Sequence, residues 1–425
     1  MKNKEKFIIK KTEKLSGTIE SSGSKNAAIP ILAASLLCPG KTVLKNVPDL
    51  TDITVMCEIL TCLGARVDVT NKNEITIDST NLGHVLAPYD LTSKMRGSFL
   101  VMGPLLARMK NVRLSLPGGC PIGSRPVDLH LKGFSALGAN ITKGFGFAEV
   151  SCNKLCAAKI YLDFPSVGAT ENVLMAAVLA DGTTTIENAA AEPEIADLAN
   201  FLNSMGADIH GAGTDSITVH GVEELKSVTY TIMPDRIEAG SFLIASAICR
   251  GDVTVTSAVP SHLKPLCAKL EEIGADVYMY DNAIRVVGKE HYISTDVMTL
   301  PFPGFPTDMQ AQFMSLLSVS EGTGIVTETI FENRFMHAAE LCRMGADIKI
   351  EGRCAIVEGT DHLTGAKVVS SDLRAGAALV IAGLCAKGTT EVLDIYHIDR
   401  GYENLDGKLR MLGADISRVP YSWGD

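Results

Sequence analysis

Six times along the chain, apolar residues at helical spacing run into the same short ending. The copies are Leu63-Gly-Ala-Arg-Val67, Leu137-Gly-Ala-Asn-Ile141, Met205-Gly-Ala-Asp-Ile209, Ile273-Gly-Ala-Asp-Val277, Met344-Gly-Ala-Asp-Ile348 and Leu412-Gly-Ala-Asp-Ile416. They lie about 70 residues apart, which is duplicated architecture rather than a thin solenoid. The segment before each copy is amphipathic, as in Ile195–Met205, and the glycine is the residue expected just past a helix end. A period-two pattern follows. Ala207–His210, a Gly211–Asp215 turn and Ser216–His220 predict a hairpin.

A second kind of segment is small and apolar nearly all round: Ala27–Leu37, Ser98–Ala107, Glu171–Ala180, Ala239–Cys249, Met309–Leu317 and Ala375–Cys385. A helix apolar on most sides belongs in a core. Most of these runs precede a glycine and a β-branched strand, as in Gly182-Thr-Thr-Thr-Ile186 and Gly251-Asp-Val-Thr-Val-Thr256. Each repeat therefore predicts one buried helix, one amphipathic outer helix and several strands. The expected fold is α/β: two domains of three repeated units, with buried helices walled by sheets and a crossing near Met233-Pro234-Asp235. No GxGxxG opens a helix after a strand, which disfavours a doubly wound dinucleotide fold.

Composition narrows the class further. A chain of 425 residues that is 46% hydrophobic has ample core for two domains. A net charge of −10 argues against nucleic-acid and membrane-surface partners. The basic start, Met1-Lys-Asn-Lys-Glu-Lys-Phe7, leads into no apolar signal region, and no apolar run is long enough to span a bilayer. The 11 cysteines show neither a CxxC pair nor zinc-site Cys/His spacing, as expected for reduced thiols in a cytoplasmic protein without a metal.

One loop combines a thiol, glycines and positive charge. Cys120 stands among Pro117, Gly118, Gly119, Pro121 and Gly123, with Arg125, Asp128 and His130 close behind. Glycine permits close backbone approach to a ligand, and an arginine can hold an anion beside the thiol. The plainer reading is a small buried cysteine in an ordinary connection. Polar residues also recur where buried helices begin: Lys25-Asn26, Arg96, Thr307-Asp308 and Asp372-Leu-Arg374. Helix N-termini favour anions. If equivalent helices point alike, Lys25, Arg96, Arg125, Arg334, Arg374 and Arg400 would gather around phosphate and carboxylate groups in one cleft. Each alone reads equally as surface charge or cap, and Asp308 and Asp372 as N-caps.

These residues resemble those of the UDP-N-acetylglucosamine enolpyruvyl transferase family, along nearly the whole chain. The likeness rests on Ser24-Lys-Asn-Ala-Ala28, Pro117-Gly-Gly-Cys120, Arg125-Pro-Val-Asp-Leu-His130, Phe305-Pro-Thr-Asp-Met-Gln-Ala-Gln312, Phe331-Glu-Asn-Arg-Phe-Met336, Asp372-Leu-Arg374 and Asp399-Arg-Gly-Tyr-Glu403. It implies two similar inside-out α/β domains, 24–233 and 1–23 with 234–425, the first strands completing the C-terminal domain and the active site in the cleft between them. It implies transfer of enolpyruvyl from phosphoenolpyruvate to the 3′-hydroxyl of UDP-N-acetylglucosamine, with no cofactor or metal.

By the same resemblance, Cys120 protonates the methylene carbon and can form an adduct with phosphoenolpyruvate, while Asp308 is the candidate base. Lys25, Arg125 and Arg400 would hold phosphate, and Arg334 and Arg374 would assist with phosphoenolpyruvate charge, the division between phosphate and carboxylate staying open. The sugar nucleotide would meet Asn26, Arg96, Arg125, Pro126, Val127, Asp128, Leu129, Ser166, Val167, Gly168, Asp308 and Ile330. His130 reads equally as a structural hydrogen bonder or a substrate contact. Two rivals stand beside this reading: a shikimate-type enolpyruvyl transferase, and a non-catalytic sugar-nucleotide-binding regulator. The Pro-Gly-Gly-Cys120 loop and the Arg125–Leu129 run favour the sugar-nucleotide enzyme over the first. The retained cysteine, aspartate and basic cluster speak against the second.

Overall fold

The computed structural model describes residues 4–83, 89–116, 122–123, 127–144 and 146–421. The chain divides into two compact units: an N-terminal one running from Gly23 to Met233, and a C-terminal one made of Met1–Ser22 with Pro234–Asp425. Ile122 and Gly123 group with the latter, where the Ile122 carbonyl accepts from the Asn333 N–H at 3.0 Å. Each unit has its own hydrophobic core.

All six repeats end their outer helix the same way. Gly64, Gly138, Gly206, Gly274, Gly345 and Gly413 take φ between +90° and +110°, a region glycine enters without a Cβ penalty. The alanine after each donates back to the carbonyl five residues earlier, from Ala65 to Leu60 through Ala414 to Leu409, at 2.9–3.1 Å. This is a Schellman cap, and it explains why Gly-Ala recurs as a pair.

The inner helices are Lys25–Ala34, Met102–Met109 and Val167–Ala177 in the N-terminal unit, and Arg236–Ile248, Gln310–Leu317 and Leu373–Cys385 in the C-terminal one. Nearly every residue of each is buried, so small and apolar side chains fill them. Four begin two to four residues before their apolar runs, because Ser24, Ser166, Asp235 and Asp372 cap them. The run expected as one helix over Ser98–Ala107 is instead a 3-10 turn, Arg96–Val101, leading into Met102–Met109. Periodicity registers burial, whereas a helix start is set by its cap.

Sheets wall these helices, three to a unit. In the N-terminal unit the orders are Thr229–Thr231, Lys41–Lys45, Glu74–Asp78, Arg66–Asn71; then Lys159–Tyr161, Thr183–Glu187, Ser216–His220, Asp208–His210; and Asn111–Ser115, Phe147–Ser151, Asn140–Gly144. In the C-terminal unit they are Ser16–Glu20, Asp252–Thr256, Ala283–Val287, Asp276–Tyr280; then Val297–Met298, Thr323–Thr327, Cys354–Glu358, Asp347–Glu351; and Lys367–Val369, Thr389–Leu393, Lys4–Lys10, Ile416–Tyr421. Strands alternate buried and exposed positions, as Thr183–Glu187 does, so one face meets the helices and the other meets solvent. Helices inside and sheets outside make this the inside-out α/β fold. Lys4–Lys10 pairs antiparallel with both Thr389–Leu393 and Ile416–Tyr421, and Ser16–Glu20 runs parallel to Asp252–Thr256. The chain's start thus completes two sheets of the C-terminal unit. Among the described residues no helix is long and apolar enough to cross a membrane.

Candidate functional site

In the N-terminal unit, Ser24 caps the Lys25–Ala34 helix by accepting from Ala27 N–H at 3.3 Å. Lys25 is its first residue and is buried, with Nζ 3.4 Å from Asp52 Oδ2. Asp52 sits in the first turn of the outer helix Thr51–Cys62. Asn26 follows, half-buried. Arg96 opens its 3-10 turn, which lies so close on the first helix that a Cβ at Gly97 would stand 2.9 Å from Ile29 Cγ2.

His130 ties three candidate segments together. Asn172 Nδ2 donates to Phe99 O at 2.9 Å and also meets His130 Nδ1 at 3.0 Å. With both amide protons spent, Nδ1 is the acceptor and the ring proton sits on Nε2. Phe99 meets the imidazole edge-on at 5.2 Å, and a Cβ at Gly168 would lie 3.3 Å from its Cε1. The Arg96 turn, the Asp128–Ala136 helix and the Ser166–Gly168 start are therefore fixed through one ring. Ser166 caps its helix, accepting from Ala169 N–H at 3.4 Å, with Val167 and Gly168 in the first turn. Val127 is buried and Leu129 half-buried, whereas Asp128 is exposed and paired with Lys143 at 2.9 Å. Cys120, Arg125 and Pro126 lie outside the described residues.

The C-terminal unit holds a tighter cluster. Asp308, in the Thr307–Met309 turn before the Gln310–Leu317 helix, binds Arg334 Nη2 through Oδ1 at 2.8 Å and Arg374 Nη2 through Oδ2 at 3.0 Å. Asp308 is not an N-cap; it is the shared counter-ion of two arginines. Asp372 is one, accepting from Arg374 N–H at 2.8 Å and Ala375 N–H at 3.0 Å. Arg374 is 2% exposed, and its Nε and Nη1 have no hydrogen-bond partner among the described residues. Burial opposes its charge, and Asp308, Tyr402 and Asp235 more than offset this, so the guanidinium holds its proton more firmly than usual. Donors buried without partners cost about 1–3 kcal/mol, more on a charged group.

Residues that sequence reasoning did not single out hold this cluster. Gln312 Nε2 donates to Asp308 O and to Tyr402 Oη, both at 2.9 Å. Tyr402 Oη lies 2.9 Å from Ser241 Oγ, and its ring lies 5.4 Å from the Arg374 guanidinium. Buried Glu328 accepts from Ile330 N–H at 2.8 Å, Phe331 N–H at 3.1 Å and Thr307 Oγ1 at 2.9 Å. It thereby fixes the segment bearing Ile330 and, shortly after, Arg334. Gln312 and Tyr402 stand inside motifs already quoted, so their signal was present. Glu328 precedes its motif and carried none. Arg400 ends the Ile395–Arg400 turn, whose Asp399 is gripped by Arg418 at 2.6 Å. Burial, then the Arg400 charge, pushes the His397 imidazole down. Burial likewise pushes His337, beside Arg334, down to about 4.

Lys25 and Arg374 stand in the first turns of buried helices, and Asp308 is held between Arg334 and Arg374. The family model for EPSP synthase (3-phosphoshikimate 1-carboxyvinyltransferase) matches residues 9–409, and the chain belongs to this enolpyruvyl transferase family. It is 55% identical over 416 residues to UDP-N-acetylglucosamine 1-carboxyvinyltransferase 1 of Caldanaerobacter subterraneus subsp. tengcongensis, covering 98% of this chain and 100% of that protein. It is 57% identical over 417 residues to UDP-N-acetylglucosamine 1-carboxyvinyltransferase 2 of Carboxydothermus hydrogenoformans, covering 98% and 99%. In fold it is similar to the enolpyruvyl transferase NikO from Streptomyces tendae, with a TM-score of 0.88 at 24% identity over 99% of this chain and 100% of that one. EPSP synthase from Acinetobacter baumannii shares the fold at a TM-score of 0.76 and 17% identity, over 98% and 100%.

Proposed function

We propose that this enzyme transfers the enolpyruvyl group of phosphoenolpyruvate to the 3′-hydroxyl of UDP-N-acetylglucosamine, releasing phosphate, as the first committed step of peptidoglycan synthesis. The observation that carries the reading is 55–57% identity, over nearly all of both chains, to enzymes named for that reaction. Both substrates are small, charged metabolites of the cytoplasm, and the reaction belongs there.

The chemistry needs an acid at the methylene carbon, a base at the sugar hydroxyl and cations around the anionic groups. Cys120 supplies the proton, carbon gains it, and the hydroxyl oxygen bonds to the adjacent carbon to give a tetrahedral ketal. The Cys120 thiolate then takes a proton back from the new methyl group as phosphate leaves, which restores the double bond and the thiol. Asp308 is the base. Asp308 is freed to act as the base as substrate anions draw Arg334 and Arg374 toward themselves. The unpartnered Nε and Nη1 of Arg374 support that exchange. Lys25, Arg125 and Arg400 neutralise phosphate. Asn26, Arg96, the Arg125–Leu129 run (Pro126, Val127, Asp128), Ser166–Gly168 and Ile330 hold the sugar nucleotide, with backbone N–H groups at the Ser166 helix start facing an anion.

Phosphate release is the test, with phosphoenolpyruvate and either UDP-N-acetylglucosamine or shikimate 3-phosphate as acceptor. Turnover with the sugar nucleotide alone is expected. Turnover with shikimate 3-phosphate alone would reassign the substrate, and binding of the sugar nucleotide without phosphate release would remove the enzymatic reading.

A further inference from the structure

Three metal-ligating side chains converge on the outward face of an N-terminal-unit sheet, and the proposed transfer reaction uses none of them. Asp208 and His210 flank buried Ile209 on an edge strand, and His220 lies directly opposite Asp208 in the register. One ligand atom from each of the three lies within 4.8 Å of the others, and all three residues are exposed. His210 Nε2 stands 2.7 Å from Asp208 Oδ1, and the two imidazole centroids are 5.9 Å apart. On the far side of His220, Thr183 is its register partner, with Oγ1 2.9 Å from Nδ1. That contact fixes the ring and leaves Nε2 for another partner.

We propose that Asp208, His210 and His220 form a surface site for a divalent transition-metal ion of the Zn²⁺ type, with Thr183 orienting the His220 ligand. Two imidazoles and one carboxylate suit Zn²⁺, Cu²⁺ or Ni²⁺, whereas Mg²⁺ and Ca²⁺ prefer oxygen ligands. Three protein ligands leave a position for water, as in open zinc sites. The geometry follows from strand physics. Alternate residues share a face, and a directly opposed residue has its Cβ about 4.5–5.5 Å away, so an i, i+2 pair and a cross-strand neighbour make a triangle. The sequence shows only Asp-x-His and a second histidine ten residues on, which is no zinc signature; the hairpin register makes the site. A bound ion would replace the Asp208–His210 pair and tie a three-residue edge strand to its neighbour, protecting an edge otherwise held by three register pairs.

Isothermal titration of the full chain with Zn²⁺ tests the site, beside His210→Ala, His220→Ala and Thr183→Val. One equivalent should bind to the wild type. Each histidine variant should weaken that binding at least tenfold, and Thr183→Val by about tenfold, the usual effect of losing an orienting partner. Enolpyruvyl transfer at wild-type rate in every variant would show that folding is intact. Exposed Cys62, Cys156 and Cys342 are competing ligands, so a Co²⁺-loaded sample is read for thiolate-to-metal charge transfer. Absence of a stoichiometric site, equal affinity in the histidine variants, or a thiolate spectrum would each overturn the assignment.

Discussion

The two units share a ground plan and differ at the starts of their buried helices. The N-terminal unit caps two of its three with serine, Ser24 and Ser166. The C-terminal unit caps two with aspartate, Asp235 and Asp372, and sets Asp308 just ahead of the third. A hydroxyl satisfies an N–H and leaves the helix's positive end uncompensated, whereas a carboxylate cancels it. Positive charge in the C-terminal unit is instead carried by Arg334 and Arg374, fixed by Asp308. One architecture therefore places positive charge in two ways, at backbone ends in one unit and on clamped side chains in the other.

Removing the clamp should break this contrast most severely. Asp308→Ala removes the carboxylate that two buried guanidiniums share, and breaking such a group costs about 4 kcal/mol. Turnover should fall at least ~10²-fold with the base gone. Denaturant unfolding and phosphate release measure the two effects; unchanged stability would mean the arginines do not depend on Asp308.

Two buried groups, one in each unit, should respond oppositely to acid. Burial pushes His337 down to about 4, so below its ordinary value near 6.5 the unfolded chain binds the proton and the folded one does not. His337 alone therefore costs the fold up to about 3 kcal/mol as pH falls from 6.5 to 4. Burial raises Asp197, in the N-terminal unit, to about 6, against hydrogen bonds from Tyr230 and Met233. There the folded state holds the proton more tightly, so stability rises by a similar amount, about 3 kcal/mol, as pH falls from 6 to 3.8. Stability measured against pH should shift in opposite directions in His337→Asn and Asp197→Asn, each relative to the wild type.

Where the units are alike, they should fail alike. Gly206→Ala and Gly274→Ala place a methyl in open space at φ +104° and +110°, so backbone strain alone acts and each costs about 1–2 kcal/mol. A difference between them beyond 1 kcal/mol would break the equivalence of the repeats. The smallest stability change tests the caps. Ser166→Asp should hold stability within about 0.5 kcal/mol while raising KM for the sugar nucleotide. An unchanged KM would remove the Ser166 helix start from substrate binding.

Much of this was legible in the chain because the signals are local. The Gly-Ala pairs announce a Schellman cap whose bonds all lie within six residues, and the six apolar runs announce helices buried on every side. The motif residues Asp308, Arg334 and Arg374 were recognisable one by one. Their joint contact was not, since they stand 26 and 66 residues apart. Glu328 looked like any strand-end acid until Ile330, Phe331 and Thr307 were seen to bond to it.

The sequence by itself determined the repeats, their helix ends and the inner and outer helices. Each of these follows from periodicity or from the conformational freedom of one residue. Only the tertiary structure decided that Lys4–Lys10 closes a sheet with strands from the far end of the chain. It alone made Asp308 the counter-ion of two arginines, fixed His130 through Asn172, and set Asp208, His210 and His220 on one face. Those outcomes depend on which distant side chain arrives within about 3 Å, where charge and hydrogen bonding act, and no local pattern encodes that distance.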